Sequence, residues 1–401
     1  MKCEKANWKQ VNVGNIGKIV TGKTPKTSNS EFYDGDIPFL TPSDDMSVKY
    51  VRNTKKHITE LGKASVKNYT LPANSICVSC IGSDLGKVVI TTEETVTNQQ
   101  INSVIVDENK FDIDFIYYSM LQLGTILNFH SKTSTAVPIV NKSSFSQYKI
   151  ICPDINTQRK IGRILSDIDD KIELNNAIND NLRATGIAIV EKSVGTAAQI
   201  NKTQAELDSI LLPEGWSITT VSEFCTETKS GATPSRSESS FWHRGTIPWL
   251  KSGEVHNGIS LKTEEFITQS ALENSSVKLL HSDTVLMAMY GVTAGEVGYL
   301  AIPATTNQAV CGMVCSSQAD AAYLFFALLQ NQDAASRLSN GGAQDNLSKN
   351  FIDGIHLICP PEDFIKELQL SALIENLTLV SKEIDCLEQL QATILAELSS
   401  R

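Results

Sequence analysis

The apolar positions of the chain form two long heptad patterns, one near the middle and one at the C-terminal end. In both, apolar residues recur at alternating steps of four and three. This spacing predicts a coiled-coil seam on a long helix, and two such helices can pack against each other. The seam residues are Ile161, Leu165, Ile168, Ile172, Leu182 and Ile189 in the first helix, and Leu370, Leu373, Leu377, Val380, Ile384, Leu387, Ile394 and Leu398 in the second.

A few seam positions are polar. Asn175 and Asn179 interrupt the first seam, and Gln391 interrupts the second. Polar residues at such positions commonly fix the register and the partner of a coiled coil. We therefore expect the two helices to pair with each other in a defined register.

The rest of the chain repeats itself once. Gly82 recurs as Gly291 about 209 positions later, and Asn98-Gln99 recurs as Asn307-Gln308 at the same offset. Matched blocks in one order indicate a tandem duplication of one globular domain followed by one helix. The other paired blocks are 21–25 with 230–234, 32–40 with 241–250, and 151–153 with 358–360.

Within each copy, short apolar runs bounded by Gly, Asn and Pro predict strands, and longer amphipathic runs predict helices. The predicted strands are 75–81, 87–91 and 101–106, with counterparts at 284–289, 296–301 and 309–315. The predicted helices are 115–129 and 321–338. The polar stretch 195–212 is interpreted as a frayed helix end and a linker. The predicted organisation is a first domain at 1–153, a first helix at 154–194, a linker at 195–212, a second domain at 213–360 and a second helix at 361–401.

These elements define the expected fold class. It is a mixed α/β protein with two tandem-repeated α/β domains, separated by two long antiparallel coiled-coil helices and related by pseudo-two-fold symmetry. The 401 residues suffice for two domains, and the 41% apolar and 20% charged content is that of a globular protein. The chain has no apolar run of about 18 residues and no secretory signal, so we expect no membrane span. Nine scattered cysteines predict reduced thiols and a cytoplasmic location.

Catalytic chemistry is not indicated by any motif. A methyltransferase needs a Gly-rich cofactor loop with an Asn/Asp-Pro-Pro-Tyr or Pro-Cys motif, whereas this chain has Ile-Cys-Pro twice, in the reverse order. A phosphate-binding loop for an ATP-driven motor is also missing from the sequence. Cys77 and Cys80 form a CxxC pair without a second pair nearby, which favours buried thiols over a zinc site. We expect no catalytic residue, no cofactor and no metal.

The motifs resemble those of the specificity subunits of type I restriction–modification systems, over essentially the whole chain. The most specific parts are residues 212–216 (LPEGW), 230–234 (SGATP), 247–250 (IPWL) and 153–161, which continues into 169–176. The first domain lacks the Pro-Glu-Gly before Trp8. The resemblance implies two target recognition domains, each reading one half of a split sequence in double-stranded DNA. It also implies assembly with two methyltransferase (modification) subunits, and with restriction/translocase subunits in the full complex.

Candidate DNA contacts lie in loops that both halves share. The 21–25 and 230–234 loops suit phosphate contact or merely join two elements, and the two hairpin-like turns at 82–87 and 290–295 suit insertion into a groove. Asn98, Gln99, Asn307 and Gln308 carry amides that can pair with adenine or can satisfy buried backbone groups. The candidate residues are Lys23, Thr24, Lys26, Lys55, Ser83, Lys87, Asn98, Gln99, Lys132 and Thr133 in the first half, and Lys229, Ser230, Thr233, Arg236, Lys251, Tyr290, Thr293, Asn307, Gln308 and Gln344 in the second.

The net charge of −10 argues mildly against a nucleic-acid partner. From Glu362 onward, however, acidic residues outnumber basic ones by eight to three, whereas the first seventy residues are rich in lysine. The charge therefore decides little. Two alternatives to DNA recognition stay open: a duplicated protein-binding adaptor whose helices recruit partners, and, less favoured, a self-sufficient methyltransferase. Salt-dependent affinity for duplex DNA separates the first alternative from a DNA-reading subunit.

Overall fold

The computed structural model describes residues 8–82, 85–132, 139–256, 258–340 and 347–399. The chain divides into two compact units, the first formed by Met1–Lys171 and Leu387–Arg401 and the second by Ile172–Cys386. The two long helices are α4 (Ile155–Val194) and α12 (Leu370–Ser399), so each unit contains a part of both. Each unit is described by itself below.

The described residues of the first unit form three sheets and three further helices. The helices are α1 (Glu60–Ser65), α2 (Ile113–Lys132) and α3 (Lys142–Gln147). The strands are β1 (Lys9–Asn12), β2 (Gly17–Thr21), β3 (Tyr33–Leu40), β4 (Tyr50–Val51), β5 (His57–Ile58), β6 (Thr70–Leu71), β7 (Ile76–Ser79), β8 (Val88–Thr91), β9 (Thr95–Thr97), β10 (Ile101–Val106) and β11 (Lys149–Cys152). The sheet orders are β2-β10-β7-β8-β4, β5-β3-β9-β6 and β1-β11.

The described residues of the second unit also form three sheets. The helices besides α4 and α12 are α5 (Gln204–Asp208), α6 (Val221–Phe224), α7 (Gln269–Asn274), α8 (Gln318–Gln330), α9 (Gln332–Asn340), α10 (Lys349–Asp353) and α11 (Glu362–Glu367). The strands are β12 (Ala198–Gln199), β13 (Ser217–Thr220), β14 (Glu227–Ser230), β15 (Ile247–Leu250), β16 (Ile259–Ser260), β17 (Glu265–Ile267), β18 (Thr284–Ala288), β19 (Val297–Leu300), β20 (Thr305–Thr306), β21 (Val310–Val314) and β22 (His356–Cys359). The sheet orders are β14-β21-β18-β19-β16, β17-β15-β20 and β12-β22-β13.

The two five-stranded sheets have the same strand order and the same register. Ser79 pairs with Ile101 in the first, and the corresponding residues Ala288 and Val310 pair in the second. In both sheets, one edge strand is parallel to its neighbour while the other pairings are antiparallel. The expected mixed α/β fold with a tandem repeat is confirmed.

An apolar core lies between the five-stranded sheet and the helix that follows it in each unit. In the first unit, Phe115, Ile116 and Met120 of α2 are fully or almost fully buried with residues of β7, β8 and β10. In the second, α8 is buried along nearly its whole length. A helix that is apolar on most of its surface needs neighbours on several sides, and here the sheet and the long helices supply them.

Within the second unit, α4 and α12 run antiparallel. The amide of Asn175 donates to Glu383 Oε2 at 2.8 Å, and that of Asn179 donates to Ser381 Oγ at 3.3 Å. In the first unit, the Gln391 amide donates to Asp169, and Leu165 and Leu398 share one core. The polar seam residues therefore contact the opposite helix in both units.

The sequence predictions differ from the structure in several places. The predicted second helix at 361–401 is interrupted at Gln369, whose φ of 53° lies between α11 and α12. The predicted helix 321–338 is interrupted at Asn331, whose φ of −118° and ψ of 18° end α8 before α9 begins. The stretch 195–212 is not a frayed helix end: it carries β12 and α5, and α5 begins with a capping box between Thr203 and Glu206. The predicted domain boundaries stay a prediction.

Candidate nucleic-acid interface

In the first unit, the loop after β2 contacts the loop between β9 and β10. The backbone N–H of Gly22 donates to Ile101 O at 3.0 Å, and Thr24 Oγ1 donates to Gln99 Oε1 at 2.8 Å. Gly22 is required at this approach, because a Cβ on it would lie 2.1 Å from Asn98 O. The two loops therefore form one surface that presents Thr24 and Gln99 together.

The second unit builds the same surface from its own residues. Gly231 N donates to Val310 O at 3.1 Å, and Thr233 Oγ1 donates to Gln308 Oε1 at 2.5 Å. A Cβ on Gly231 would lie 2.2 Å from Thr306 O. The threonine bond defines the orientation of each glutamine amide. Both Gln99 and Gln308 are exposed.

The asparagines of the same loops have a structural role. Asn98 Oδ1 accepts from Gln100 N at 3.1 Å, and Asn307 Oδ1 accepts from Ala309 N at 3.1 Å. Both residues are only half-exposed. They satisfy backbone donors at the start of β10 and β21, whereas the adjacent glutamines face outward.

Four basic candidates of the first unit are exposed: Lys23, Lys26, Lys55 and Lys132. The Lys23 ammonium lies 5.2 Å from the Tyr69 ring centroid. Lys55 is fixed by its backbone N–H, which donates to Asp44 Oδ1 at 2.7 Å, and by its ammonium, which donates to Ser43 O at 2.5 Å. A cavity of about 450 Å³ next to the loop is lined by Thr24, Tyr33, Phe39, Lys55 and His57, among others.

The basic candidates of the second unit have acidic partners. Arg236 contacts Glu265 at 2.5 Å, and its guanidinium carbon lies 3.7 Å from the Trp242 ring centroid. The hydrogen bond from Arg236 lowers the pKa of Glu265. Lys251 contacts Glu264 at 2.6 Å, and Lys229 contacts Glu227 at 2.5 Å.

The remaining candidates are placed as follows. Lys87 follows the turn between β7 and β8, and its backbone N–H donates to Ser79 Oγ at 2.9 Å. Ser230 ends β14 and is half-buried. Tyr290 is 38% exposed before the β18–β19 turn, where Thr293 donates to Ser252 O at 3.1 Å. Ser83, Thr133 and Gln344 lie outside the described residues.

The seam candidates differ in burial. Leu165, Ile168, Asn175, Asn179 and Leu377 are buried, whereas Ile161, Ile172, Val380, Ile384 and Leu387 are half-exposed. The Oδ1 atoms of Asn175 and Asn179 are buried and have no hydrogen-bond partner among the described residues. Apolar residues also lie on the outer face of these helices: Ile164, Leu174, Leu379 and Leu390 are each more than 40% exposed.

The cysteine pair of the first unit lies inside the sheet. Burial raises the pKa of Cys77 to about 12 and that of Cys80 to about 11, so both are thiols at neutral pH. Ser103 Oγ lies 3.3 Å from Cys77 Sγ. In the part of the chain that the structure describes, we find no group of three metal-ligating side chains and no helix suited to crossing a membrane.

The aromatic and acidic residues around Arg236 were not predicted from the sequence. Trp242, Trp249 and Glu265 hold the guanidinium, and Trp249 is buried. The internal repeat could have revealed this aromatic site, because Trp242 and Trp249 align with Tyr33 and Phe39 of the first copy. Aromatic residues at matching positions of both copies indicate a common structural site.

Two matched loop surfaces, each on an α/β unit that packs on parts of two long helices, define a class of duplicated recognition proteins. The chain belongs to the family of the type I restriction modification DNA specificity domain, which matches residues 5–184 and 213–388.

Individual relatives agree with this assignment. The chain is 22% identical to the type I restriction enzyme MjaIX specificity subunit of Methanocaldococcus jannaschii, over 98% of this chain and 92% of that subunit. It is 31% identical to the HindI specificity subunit of Haemophilus influenzae, over 51% of this chain but only 40% of that subunit. The S subunit of a type I restriction-modification system from M. genitalium has the same fold, with a TM-score of 0.61 at 15% identity, covering 99% of this chain and 97% of that one.

Proposed function

We propose that this chain is the DNA-recognition and scaffold subunit of a type I restriction–modification complex. Each unit reads one half of a bipartite target in double-stranded DNA. The observation that carries the proposal is the repeated loop surface, in which a threonine orients an exposed glutamine in both units. Family membership over both halves supports the same function.

The chemistry of the loops suits a division between positioning and reading. Lysines and hydroxyl groups bind phosphate oxygens and set the position of the protein on the duplex. An oriented glutamine amide can donate to a base edge and accept from it in the major groove. Gln99 and Gln308 are the proposed base-reading residues, and Lys23, Lys26 and Lys55 are proposed phosphate contacts.

Methylation and cleavage are assigned to partner subunits. The chain is proposed to assemble with two methyltransferase subunits, and with restriction/translocase subunits in the full complex. The exposed apolar residues on the long helices, Ile164, Leu174, Leu379 and Leu390, offer sites for partner helices. The same proposal places the chain in the cytoplasm, in keeping with the free cysteines among the described residues.

Two measurements on the purified chain and its assembly test this function. When a tagged copy of this chain is purified from its host, a methyltransferase should co-purify with it, with two methyltransferase molecules per chain as determined by mass. The resulting complex should bind duplex DNA with an affinity that falls steeply as salt rises. If the complex assembles but shows no salt-dependent affinity for DNA, the chain is a protein-binding adaptor rather than a DNA-reading subunit.

A further inference from the structure

In the part of the chain that the structure describes, one edge of strand β11 in the first unit has no neighbouring strand, whereas the equivalent edge in the second unit is occupied. Among the described residues, β11 pairs only with β1, but β22 pairs with both β13 and β12. The shared pairings have the same register: Gln10 lies opposite Ile151, and Ile218 opposite Ile358. The two sheets therefore differ by one missing strand.

The backbone groups of this edge point away from β1. Val13 N donates to Tyr148 O at 2.8 Å. Hydrogen-bonded and non-hydrogen-bonded pairs alternate along an antiparallel ladder, so Ile150 is hydrogen-bonded to β1. The backbone N–H and C=O groups of Lys149 and Ile151 therefore point to the other side. In the second unit, the residue equivalent to Ile151 is Ile358, whose N–H donates to Ala197 O at 2.9 Å. Ile151 thus presents the donor that a further strand uses in the repeat.

A groove lies between this edge and helix α2. It has a volume of about 140 Å³, and its lining includes Phe115, Ser119, Gln122, Ile126, Ile151 and Leu398. Ile126 is 51% exposed at its rim. An exposed apolar rim next to an open strand edge is a typical docking site for an extended peptide.

The second unit shows what fits such a groove. Residues 196–199 lie there, with Ala197 and Ala198 fully buried. Gln330, the counterpart of Gln122, accepts from Ala197 N at 3.0 Å and donates to Gly195 O at 2.9 Å. Both alanines are fully buried, so these two positions of the strand favour small side chains.

We propose that the groove at β11 is a docking site for an extended segment of a partner polypeptide. The segment adds a strand to β11 and carries small residues at two consecutive positions. This inference goes beyond the proposed function and does not depend on it, since it rests on the open edge and the occupied counterpart.

The test uses the full chain and a synthetic peptide with the sequence of residues 195–201 (GTAAQIN) as the probe. Deuterium exchange of the segment 149–152 is measured with and without millimolar peptide. We expect exchange to slow at least threefold. The control peptide carries Ala197→Trp and Ala198→Trp, and it should have no effect because the groove is too small for indole rings.

Two variants localise the effect. Ile151→Pro removes the outward N–H and also fixes φ, which an edge strand tolerates, and it should abolish the response. Ile151→Val keeps the donor and should respond as the original chain does. Equal effects of both peptides, or no effect of either, would overturn the proposal. If exchange of the segment 149–152 slows with rising protein concentration in the absence of peptide, a second copy of the chain occupies the edge instead, which would also overturn the proposal. The peptide pair decides the question even if the proline variant does not fold.

Discussion

The two units share one sheet order and one register, but they differ where the helix after the sheet meets α4. In the first unit this junction is polar. The Tyr118 hydroxyl donates to Asp169, and the Lys49 ammonium contacts Asp114 at 2.7 Å and Ser166 at 2.8 Å. Lys49 has only 7% of its side chain exposed. One buried lysine thus links a strand-edge loop, α2 and α4.

In the second unit the contact between α8 and α4 is apolar, although α12 rather than α4 is the helix that follows this domain in the repeat. Phe326 occupies the position of Tyr118 and is fully buried. Its ring packs against Gly186 of α4, where an added Cβ would lie 2.2 Å from the ring. The helix after the sheet therefore packs on α4 through a charged network in the first unit and through an aromatic ring against a glycine in the second. The charged contact should be destabilised when one of its charged groups is removed. The aromatic contact should be destabilised when a larger side chain is introduced.

The Thr24–Gln99 and Thr233–Gln308 loop surfaces differ in the partners of their nearby basic residues. Exposed lysines lie near the Thr24–Gln99 surface of the first unit, whereas Lys229, Arg236 and Lys251 of the second unit have carboxylate partners. Ion pairs within the protein must be exchanged for contacts with phosphate on binding. We therefore expect the first unit to contribute the larger part of the salt dependence.

The largest effect is expected from Lys49→Met. The substitution leaves Asp114 and the Tyr118–Asp169 pair without their cation, which should destabilise the first unit by about 3 kcal/mol. Urea denaturation measures the change. Lys9→Met, at an exposed position, is the matched control and should change stability by less than about 0.5 kcal/mol. Equal stabilities of the two variants would show that the network does not hold the junction.

Gly186→Ala should destabilise the second unit by about 2 kcal/mol, because the buried Phe326 ring has no solvent-exposed space into which to move. The double variant Gly186→Ala/Phe326→Leu should recover part of the loss, since leucine lacks the ring atoms nearest to the new methyl group. Thermal unfolding compares the two. A double variant that is less stable than the sum of its single changes would contradict the packing explanation.

Tyr118→Phe introduces into the first unit the residue type that the second unit has at this position, Phe326. Loss of the hydroxyl bond to Asp169 should cost about 1.5 kcal/mol near neutral pH. Burial and the neighbouring carboxylates raise the pKa of Tyr118 above its usual value of 10.0. The unfolded chain therefore loses this proton first, and stability should fall as pH rises above about 10. That alkaline decrease should be smaller in the variant, as urea denaturation between pH 8 and pH 11 would show.

The smallest effect is expected from the loop lysines. Lys23→Ala and Lys26→Ala together should reduce the slope of log affinity against log salt by about 2, with a loss of affinity of about threefold for each lysine. Lys251→Ala is the comparison in the second unit and should change the slope less, because Glu264 already neutralises it. Fluorescence anisotropy on duplex DNA measures both. A larger change for Lys251→Ala would reverse the proposed asymmetry.

Periodic patterns and the repeat predicted most of the fold. Strand β10 has the predicted bounds, and the seam patterns led to α4 and α12, because long regular elements leave a signal in the spacing of apolar residues. Strand β12 was missed because two residues carry no periodicity. Ala198 becomes a strand residue only through its pairing with β22.

The candidate site was only partly predictable. The glutamines were found because both copies retain them, but their contacts with Thr24 and Thr233 join residues 75 positions apart. The polar junction was not foreseen either. Tyr118 and Asp169 come into contact only after α2 and α4 have packed, and no local pattern of the sequence encodes that contact.

The central claim is that each unit reads its own half of a bipartite target. The most direct measurement is selection of bound DNA from a random duplex library by the assembled complex, for the original chain, Gln99→Ala and Gln308→Ala. The original chain should select two short conserved segments with a fixed gap. Gln99→Ala should relax the preference in one segment, and Gln308→Ala should relax it in the other. Changes in the same segment, or unchanged preferences in both variants, would contradict the claim.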